Sequence, residues 1–259
     1  MDRTHAFDPQ VPSSARIYDY MLGGKDNYDI DRQVARAILA VAPDARILAE
    51  FTHQFMVKAV QLAAKARIRQ FISLGAGYPR SPDVHEVIRE IYPTATVVYI
   101  DNDPLALAHC AALLTHSTGV SAMRGDARQP QTIIERLTTD KTINFAKPVC
   151  LLLIGVLHYV MDGENPEWIL TSFRDVMAPG SYLAFTHHTD QTDPALQNVT
   201  KSHTDNTPCQ TEFRTHERIT SFADDFELLG PGVVPVQEWL SPDLPETRSI
   251  TLGGIGRRP

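Results

Sequence analysis

The chain has 259 residues, 43% of them hydrophobic, enough to bury one large domain or one domain with an appended segment. Its 24 basic and 31 acidic side chains leave a net charge of -7, which argues against a basic footprint for a phosphate backbone; the expected partner is a small-molecule acceptor or a protein, with no nucleic acid. Cys110, Cys150 and Cys209 are odd in number, widely spaced and without a C-x-x-C pair, so neither a disulfide framework nor a zinc ribbon is indicated.

The start, MDRTHAFDPQ, has no apolar h-region, and the longest apolar run, 149–160, is too short to span a bilayer. A cytoplasmic protein with no membrane segment is expected. Residues 1–70 read as an N-terminal helical cap, with Ile30, Val34, Ala37, Ile38 and Val41 on one helical face and Phe51, Phe55, Ala59, Leu62, Ala63 and Ala66 on another. Within it, ARIYDYMLGGKDNY has Gly23 and Gly24 interrupting a helical pattern, as at a hinge or a close approach to a ligand. Tyr18, Lys25, Asn27 and Tyr28 then face a pocket; alternatively Tyr18 and Tyr28 pack, and Lys25 sits on a solvated turn.

Residues 71–259 read as an α/β domain. Phe71, Ile72 and Leu74 form a doubly buried strand, and Gly75 and Gly77 let the backbone turn and approach a ligand. Ser81 and Pro82 suit a helix start, Val84, Val87, Ile88 and Ile91 make its buried stripe, and Pro93 ends it. Val97 to Ile100 form the next strand, and Asp101, 26 positions after Gly75, stands where a βαβ unit delivers a carboxylate to the hydroxyls of an adenosine ribose. A dinucleotide fingerprint needs a third glycine where Arg80 stands, which disfavours NAD and FAD. S-adenosylmethionine has no pyrophosphate and does not need that glycine, although Asp101 as a plain cap for the helix at Pro104 remains an alternative.

A helix follows from Asp103 to Leu114, then a short strand near 121–124 with Asp126 past its end, a short helix at Ile133 to Leu137, and the apolar strand VCLLLIG. Asn165 and Pro166 open a helix buried through Ile169, Leu170, Phe173, Val176 and Met177, and Pro179 and Gly180 turn the chain into SYLAFTH. Five strands alternating with helices imply a doubly wound, mostly parallel, Rossmann-like sheet, with ligands beyond the carboxyl ends of its strands. Those ends carry Ser73 to Gly77, Asp101, Asn102, Asp126, Gly155 to His158, and Thr186 to Asp190. Residues 191–211 are polar without an apolar period and read as a lid loop, and FELLGPGVVPV and ITLGGIG as closing strands.

For a proton acceptor, His187 at the end of the fifth strand is the first choice, with Tyr18 beside it; a backbone-bonded loop histidine is the bland alternative. His158 reads as packing against a cofactor, and His188 alternates away from His187 and is set aside. No metal is expected, since no H-x-x-x-H or H-E-x-x-H spacing occurs, and neither a G-x-S-x-G elbow nor a P-loop lysine is present.

ARIYDYMLGGKDNY, GAGYPRSPDVHEV with VVYIDNDPLALAH, LLLIGVLHYV with PGSYLAFTHHTD, and GPGVVPVQEW with GGIGRRP together resemble, over nearly the whole chain, an actinobacterial family of S-adenosylmethionine-dependent methyltransferases once catalogued as a domain of unknown function. The resemblance implies a class I methyltransferase fold of seven strands, the last antiparallel, and a small-molecule methyltransferase of natural-product biosynthesis that releases S-adenosylhomocysteine. It also implies that Gly75 and Gly77 line the methionine portion of the cofactor, with Ser73 and Asn102 beside them. Asp101 would hold the ribose, Asp126 with Ala127 border the adenine, and Ile154, Gly155 and His158 close over the cofactor; Lys25, Asn27, Tyr28 and Asp190 fall to the substrate. Ser73 stands where the family has an acidic residue, and His53 and Gln54 where it has an Asn-Arg pair. Two other readings stay open: a methyltransferase-fold enzyme that performs an elimination or cyclisation, and a silent subunit working with a protein partner.

Overall fold

The computed structural model describes residues 8–114 and 118–259, so residues 1–7, where the expected cap and the MDRTHAFDPQ start begin, lie outside the described residues. The cap consists of α1 (Ser14–Met21), α2 (Asp29–Val41) and α3 (Ala45–Lys65). Ile17, Met21, Val34, Ala35, Ala49 and Cys209 form a small core of its own, whereas the rest of α3 packs on the sheet through Phe55, Ala59, Val60 and Ala63.

The sheet begins with β1 (Gln70–Leu74), followed by α4 (Val84–Arg89), β2 (Thr96–Asp101), α5 (Pro104–Leu114), β3 (Val120–Arg124), α6 (Pro130–Thr139), β4 (Cys150–Leu153), α7 (Pro166–Val176) and β5 (Tyr182–His188). Then come α8 (Pro194–Thr204), α9 (His216–Thr220), β6 (Glu227–Leu228), β7 (Val234–Pro235), α10 (Val236–Leu240) and β8 (Thr251–Arg257). The strand order is β3-β2-β1-β4-β5-β8-β6, with β7 also on β8; the first five strands are parallel and β8 is antiparallel to its neighbours. Strand alternation splits the core into two layers: Ile72, Leu74 and Leu151 face α6 and α7, while Phe71, Cys150 and Leu152 face α3 and α4. No described helix is long and apolar enough to cross a membrane.

Three expectations are corrected. The sheet has eight strands rather than seven, because FELLGPGVVPV splits into β6 and β7 around Pro231, which has no N–H to donate to a ladder. Helix α4 starts after Asp83 and not at Ser81, because Asp83 and Glu86 form a reciprocal capping box, with the Asp83 N–H donating to Glu86 Oε2 at 2.7 Å. Residues 191–211 are not a plain loop: Asp193 accepts from the Ala195 N–H at 2.8 Å and starts α8, which packs on α2. Its inward stripe is Leu196, Thr200 and Thr204, helical in spacing but mostly polar, so an apolar period never shows it.

The closing glycines have a packing role. A Cβ on Gly253 would lie 2.9 Å from the Phe55 ring, which sits edge-on to Trp239, and the Trp239 indole donates to the Gly253 carbonyl at 2.9 Å.

Candidate functional site

The turn after β1 is held by hydrogen bonds from the Gly75 and Ala76 N–H groups to the Ile100 carbonyl, at 2.7 and 3.0 Å. Asp101 braces it further: Oδ2 accepts from the Gly77 N–H at 2.7 Å and Oδ1 from the Asp103 N–H at 2.8 Å. Gly75 has φ +70, and a Cβ there would lie 2.4 Å from Val156 Cγ2, on a β-branched side chain with little freedom to move. Gly75→Ala is therefore expected to cost about 2–3 kcal/mol in chemical denaturation, from the left-handed backbone and the clash together. A loss below about 0.5 kcal/mol would show that the turn is not held as described.

A cavity of 710 Å³ opens over this turn and runs along the carboxyl edge of the sheet beneath the cap. Ser73, Gly75, Gly77, Asp101, Asn102, Asp126, Ala127 and Gly155 line one stretch of its wall. Burial pushes the Asp101 carboxyl up to about 6, against the lowering effect of its backbone donors. Asp126 is gripped by Arg128, whose Nε and Nη2 donate at 2.9 and 2.6 Å, and Arg128 also reaches Glu164 at 3.1 Å. Arg16, buried beside this end, donates to Asp31 at 3.0 Å and stands 3.6 Å from Asp103. Ser13 donates to the same Asp103 at 2.7 Å, which ties α1 to the end of β2.

The other stretch is aromatic. His158, Tyr159, His188 and Phe213 line it, with the His158 ring centroid 4.0 Å from that of His188 and 4.3 Å from that of Tyr159. His188 Nδ1 shares a hydrogen bond of 2.9 Å with Thr251 Oγ1, and burial pushes the imidazole down to about 4. His158 Nδ1 has no partner, and burial followed by the neighbouring His188 holds this ring well below the usual histidine range. Tyr18, Thr52, His53 and Met56 line the cavity from the cap, and the buried His53 Nε2 also lacks a partner.

Several sequence expectations fail here for identifiable reasons. His187 is fully buried behind the wall: Arg214 Nη1 donates to its Nε2 at 2.5 Å, which fixes the proton on Nδ1, 2.7 Å from the His188 carbonyl. Burial pushes it down to about 3, and it has no face on the cavity. The strand does alternate as expected, but the open side belongs to His188. Tyr18 reaches the wall, yet its hydroxyl donates its proton to the Ala49 carbonyl at 2.8 Å, and a phenol held this way is protonated near neutrality and is no base.

Lys25, Asn27, Tyr28 and Asp190 are off the wall. Asn27 instead ties the glycine turn to Asp19 at 2.7 Å and accepts from Arg32 at 2.8 Å, and the Tyr28 ring lies 5.4 Å from the Arg16 guanidinium carbon. Lys25 is exposed, and Asp190 accepts from Thr189 at 3.2 Å. Tyr159, Phe213, Thr200 and Thr251 were missed, because they lie on separate segments that only the fold brings together.

A doubly wound sheet with one antiparallel strand near its edge, a G-x-G turn after β1 and a carboxylate ending β2 defines a class I methyltransferase fold. The chain belongs to the S-adenosyl methyltransferase family, whose model matches residues 2–259. It is similar to a candidate methyltransferase from Thermobifida fusca, at 35% identity and TM-score 0.88 over 96% of each chain. It is also similar to a DUF574 family protein from Streptomyces avermitilis, at 29% identity and TM-score 0.90 over 97% of this chain and 99% of that one. The 1,6-didemethyltoxoflavin-N1-methyltransferase of Burkholderia thailandensis, with S-adenosylhomocysteine bound, shares the fold at 14% identity and TM-score 0.53, covering 98% of each chain. No curated protein matches the chain.

Proposed function

We propose that this protein transfers a methyl group from S-adenosylmethionine to an oxygen or nitrogen of a small molecule, in secondary metabolism as the family resemblance suggests. The observation that carries the reading is the continuity of one cavity from the Gly75–Asp101 turn to the His158–His188 wall. The residues fit the cofactor: the turn has no room for a Cβ at Gly75, and Asp101 presents a buried carboxylate to the wall. Asp101 would take the ribose hydroxyls, Asn102, Asp126 and Ala127 would border the adenosine, and Gly77 and Ser73 the methionine portion.

When bound, the cofactor supplies an electrophilic methyl group on a sulfonium. The protein's own contribution is to place the acceptor in line and to exclude water. His188, kept neutral by burial and oriented by Thr251, accepts a hydrogen bond from the acceptor's O–H or N–H and takes its proton late in the displacement. With a pKa near 4 it is a weak base, so positioning is the larger part of its effect. His188→Gln is expected to lower kcat about tenfold to a hundredfold while S-adenosylhomocysteine affinity stays within about twofold. Because the charged form of His188 is disfavoured down to about pH 4, the His188-dependent part of the rate should be flat across neutrality and fall only on the acid side. A limb near pH 6.5 that disappears in the variant would contradict this assignment.

Ser73 favours a second reading, an elimination or cyclisation on the same fold. The carboxylates on the wall stand elsewhere: Asp83, at the start of α4, holds the Val84 N–H and the Tyr99 hydroxyl, and Asp101, at the end of β2, is the group given to the ribose. An ammonium group beside Ser73 therefore meets a neutral hydroxyl. Under the methyl-transfer reading, Ser73→Asp should tighten S-adenosylmethionine by roughly fivefold in calorimetry. Turnover of a pathway intermediate without added cofactor would establish the second reading instead.

A further inference from the structure

The aromatic end of the cavity is walled by a file of rings with hydroxyl side chains beside it. His188 lies between two other rings: His158 at 4.0 Å with planes 37° apart, and Phe213 at 5.9 Å with planes 26° apart. Tyr159 continues the file beyond His158. Rings packed this closely turn mainly their edges to the cavity, which the face of a flat ligand ring meets in T-shaped or offset contact better than a puckered ring of equal size does.

Charge is absent from the same wall. Across residues 154–160, 186–213 and 249–251, every described side chain that reaches the cavity is aliphatic, aromatic, hydroxyl-bearing, a thiol or an imidazole. Arg214 is turned away toward His187 and Asp162, and Lys201, 6.0 Å from the Phe213 ring centroid, does not reach the cavity. An ionic ligand against these segments would lose hydration with no countercharge from them, and Arg80 on the cap side of the cavity is paired with Glu50 at 2.6 Å.

The hydroxyls narrow the class further. Thr204 Oγ1 donates to the Thr200 carbonyl at 2.9 Å, and Thr211 Oγ1 to the Cys209 carbonyl at 3.1 Å. With their protons committed, these oxygens have only lone pairs to offer, as does an unprotonated imidazole nitrogen. At Thr204, Thr211 and the unprotonated imidazole nitrogens the wall therefore takes hydrogen-bond donors.

We propose that the methyl acceptor is an uncharged, planar aromatic or heteroaromatic molecule that presents an O–H or N–H group to the His158–His188–Phe213 wall, an assignment that rests on the methyl-transfer reading above. The test is calorimetric titration of 1-naphthol, 1-naphthoate and trans-1-decalol into the protein, with and without saturating S-adenosylhomocysteine. 1-Naphthol should bind about tenfold more tightly than the anion of the same shape or the saturated ring of similar size. Phe213→Leu should weaken 1-naphthol by about threefold to tenfold and leave S-adenosylhomocysteine affinity unchanged, which also shows that the variant is folded. Equal binding of naphthoate or decalol, no binding of 1-naphthol, or indifference to Phe213→Leu would overturn the proposal. Absence of S-adenosylhomocysteine binding with the naphthol preference intact would overturn the methyl-transfer reading alone and leave the ligand class standing.

Discussion

Asp101→Asn is expected to weaken S-adenosylhomocysteine about thirtyfold to a hundredfold at pH 7.5, the loss of two hydrogen bonds from ribose hydroxyls to a charged acceptor. Both carboxylate oxygens already accept one backbone N–H each, from Gly77 and Asp103, so the group is fixed in place before any ligand arrives. Its pKa, pushed up to about 6 by burial, sets a pH dependence with two opposite signs. For folding, the protonated form is favoured in the native state, so Asp101's contribution is fully present below its unfolded value of 3.8 and is lost as pH rises through about 6. For cofactor binding, the ionised form is the competent one, so affinity in the parent should fall by about tenfold per pH unit below 6. The asparagine variant should show neither dependence. Calorimetry from pH 5 to 8 on both proteins checks this, and parallel pH profiles would contradict the role given to Asp101.

Arg214→Met is expected to destabilise the fold by about 3–5 kcal/mol in chemical denaturation, the largest effect among side chains off the cavity wall. The guanidinium is 4% exposed and donates to the Leu157 carbonyl at 3.1 Å, the Val160 carbonyl at 2.7 Å and His187 Nε2 at 2.5 Å, with Asp162 as its ion partner. Methionine fills similar space but leaves two carbonyls and an imidazole nitrogen unpaired in the interior. Asp162 is largely exposed and adds little. Lysine should recover only part of the loss, since one ammonium cannot reproduce the fork. The two carbonyls bracket His158 and Tyr159, so 1-naphthol binding should suffer more than S-adenosylhomocysteine binding. A loss under about 1 kcal/mol would mean that the loop after β4 is held by something other than Arg214.

The cofactor edge was legible in the sequence because it is local. Gly75, Gly77 and Asp101 lie in one βαβ unit, where a buried strand, a glycine turn, a helix and a second strand leave the chain few alternatives. The parallel pairing of the first five strands follows from the same alternation, whereas the antiparallel closing strand came from the family resemblance. The acceptor wall was not legible, because it is assembled from the loop after β4, the end of β5, α8 and Phe213. His187 and His188 show the difficulty most plainly: period two says that they face opposite ways, but which side is open depends on Arg214, 27 positions from His187. Lys25, Asn27 and Tyr28 lie close in sequence to the cap's wall residues and still miss the cavity, because Asn27 is spent on holding the turn that Gly23 and Gly24 make. Helix α8 escaped notice because threonines stand where an apolar stripe would have marked it, and the ligand-facing chemistry inferred above rests on those same threonines.

The most direct test of the central claim is a crystal structure of the protein with S-adenosylhomocysteine. The account predicts the ribose hydroxyls on Asp101, the methionine portion over Gly75 and Gly77, and the sulfur open toward His158 and His188. Density for the ligand with its ribose away from Asp101, or a clear glycine turn at saturating ligand, would contradict it.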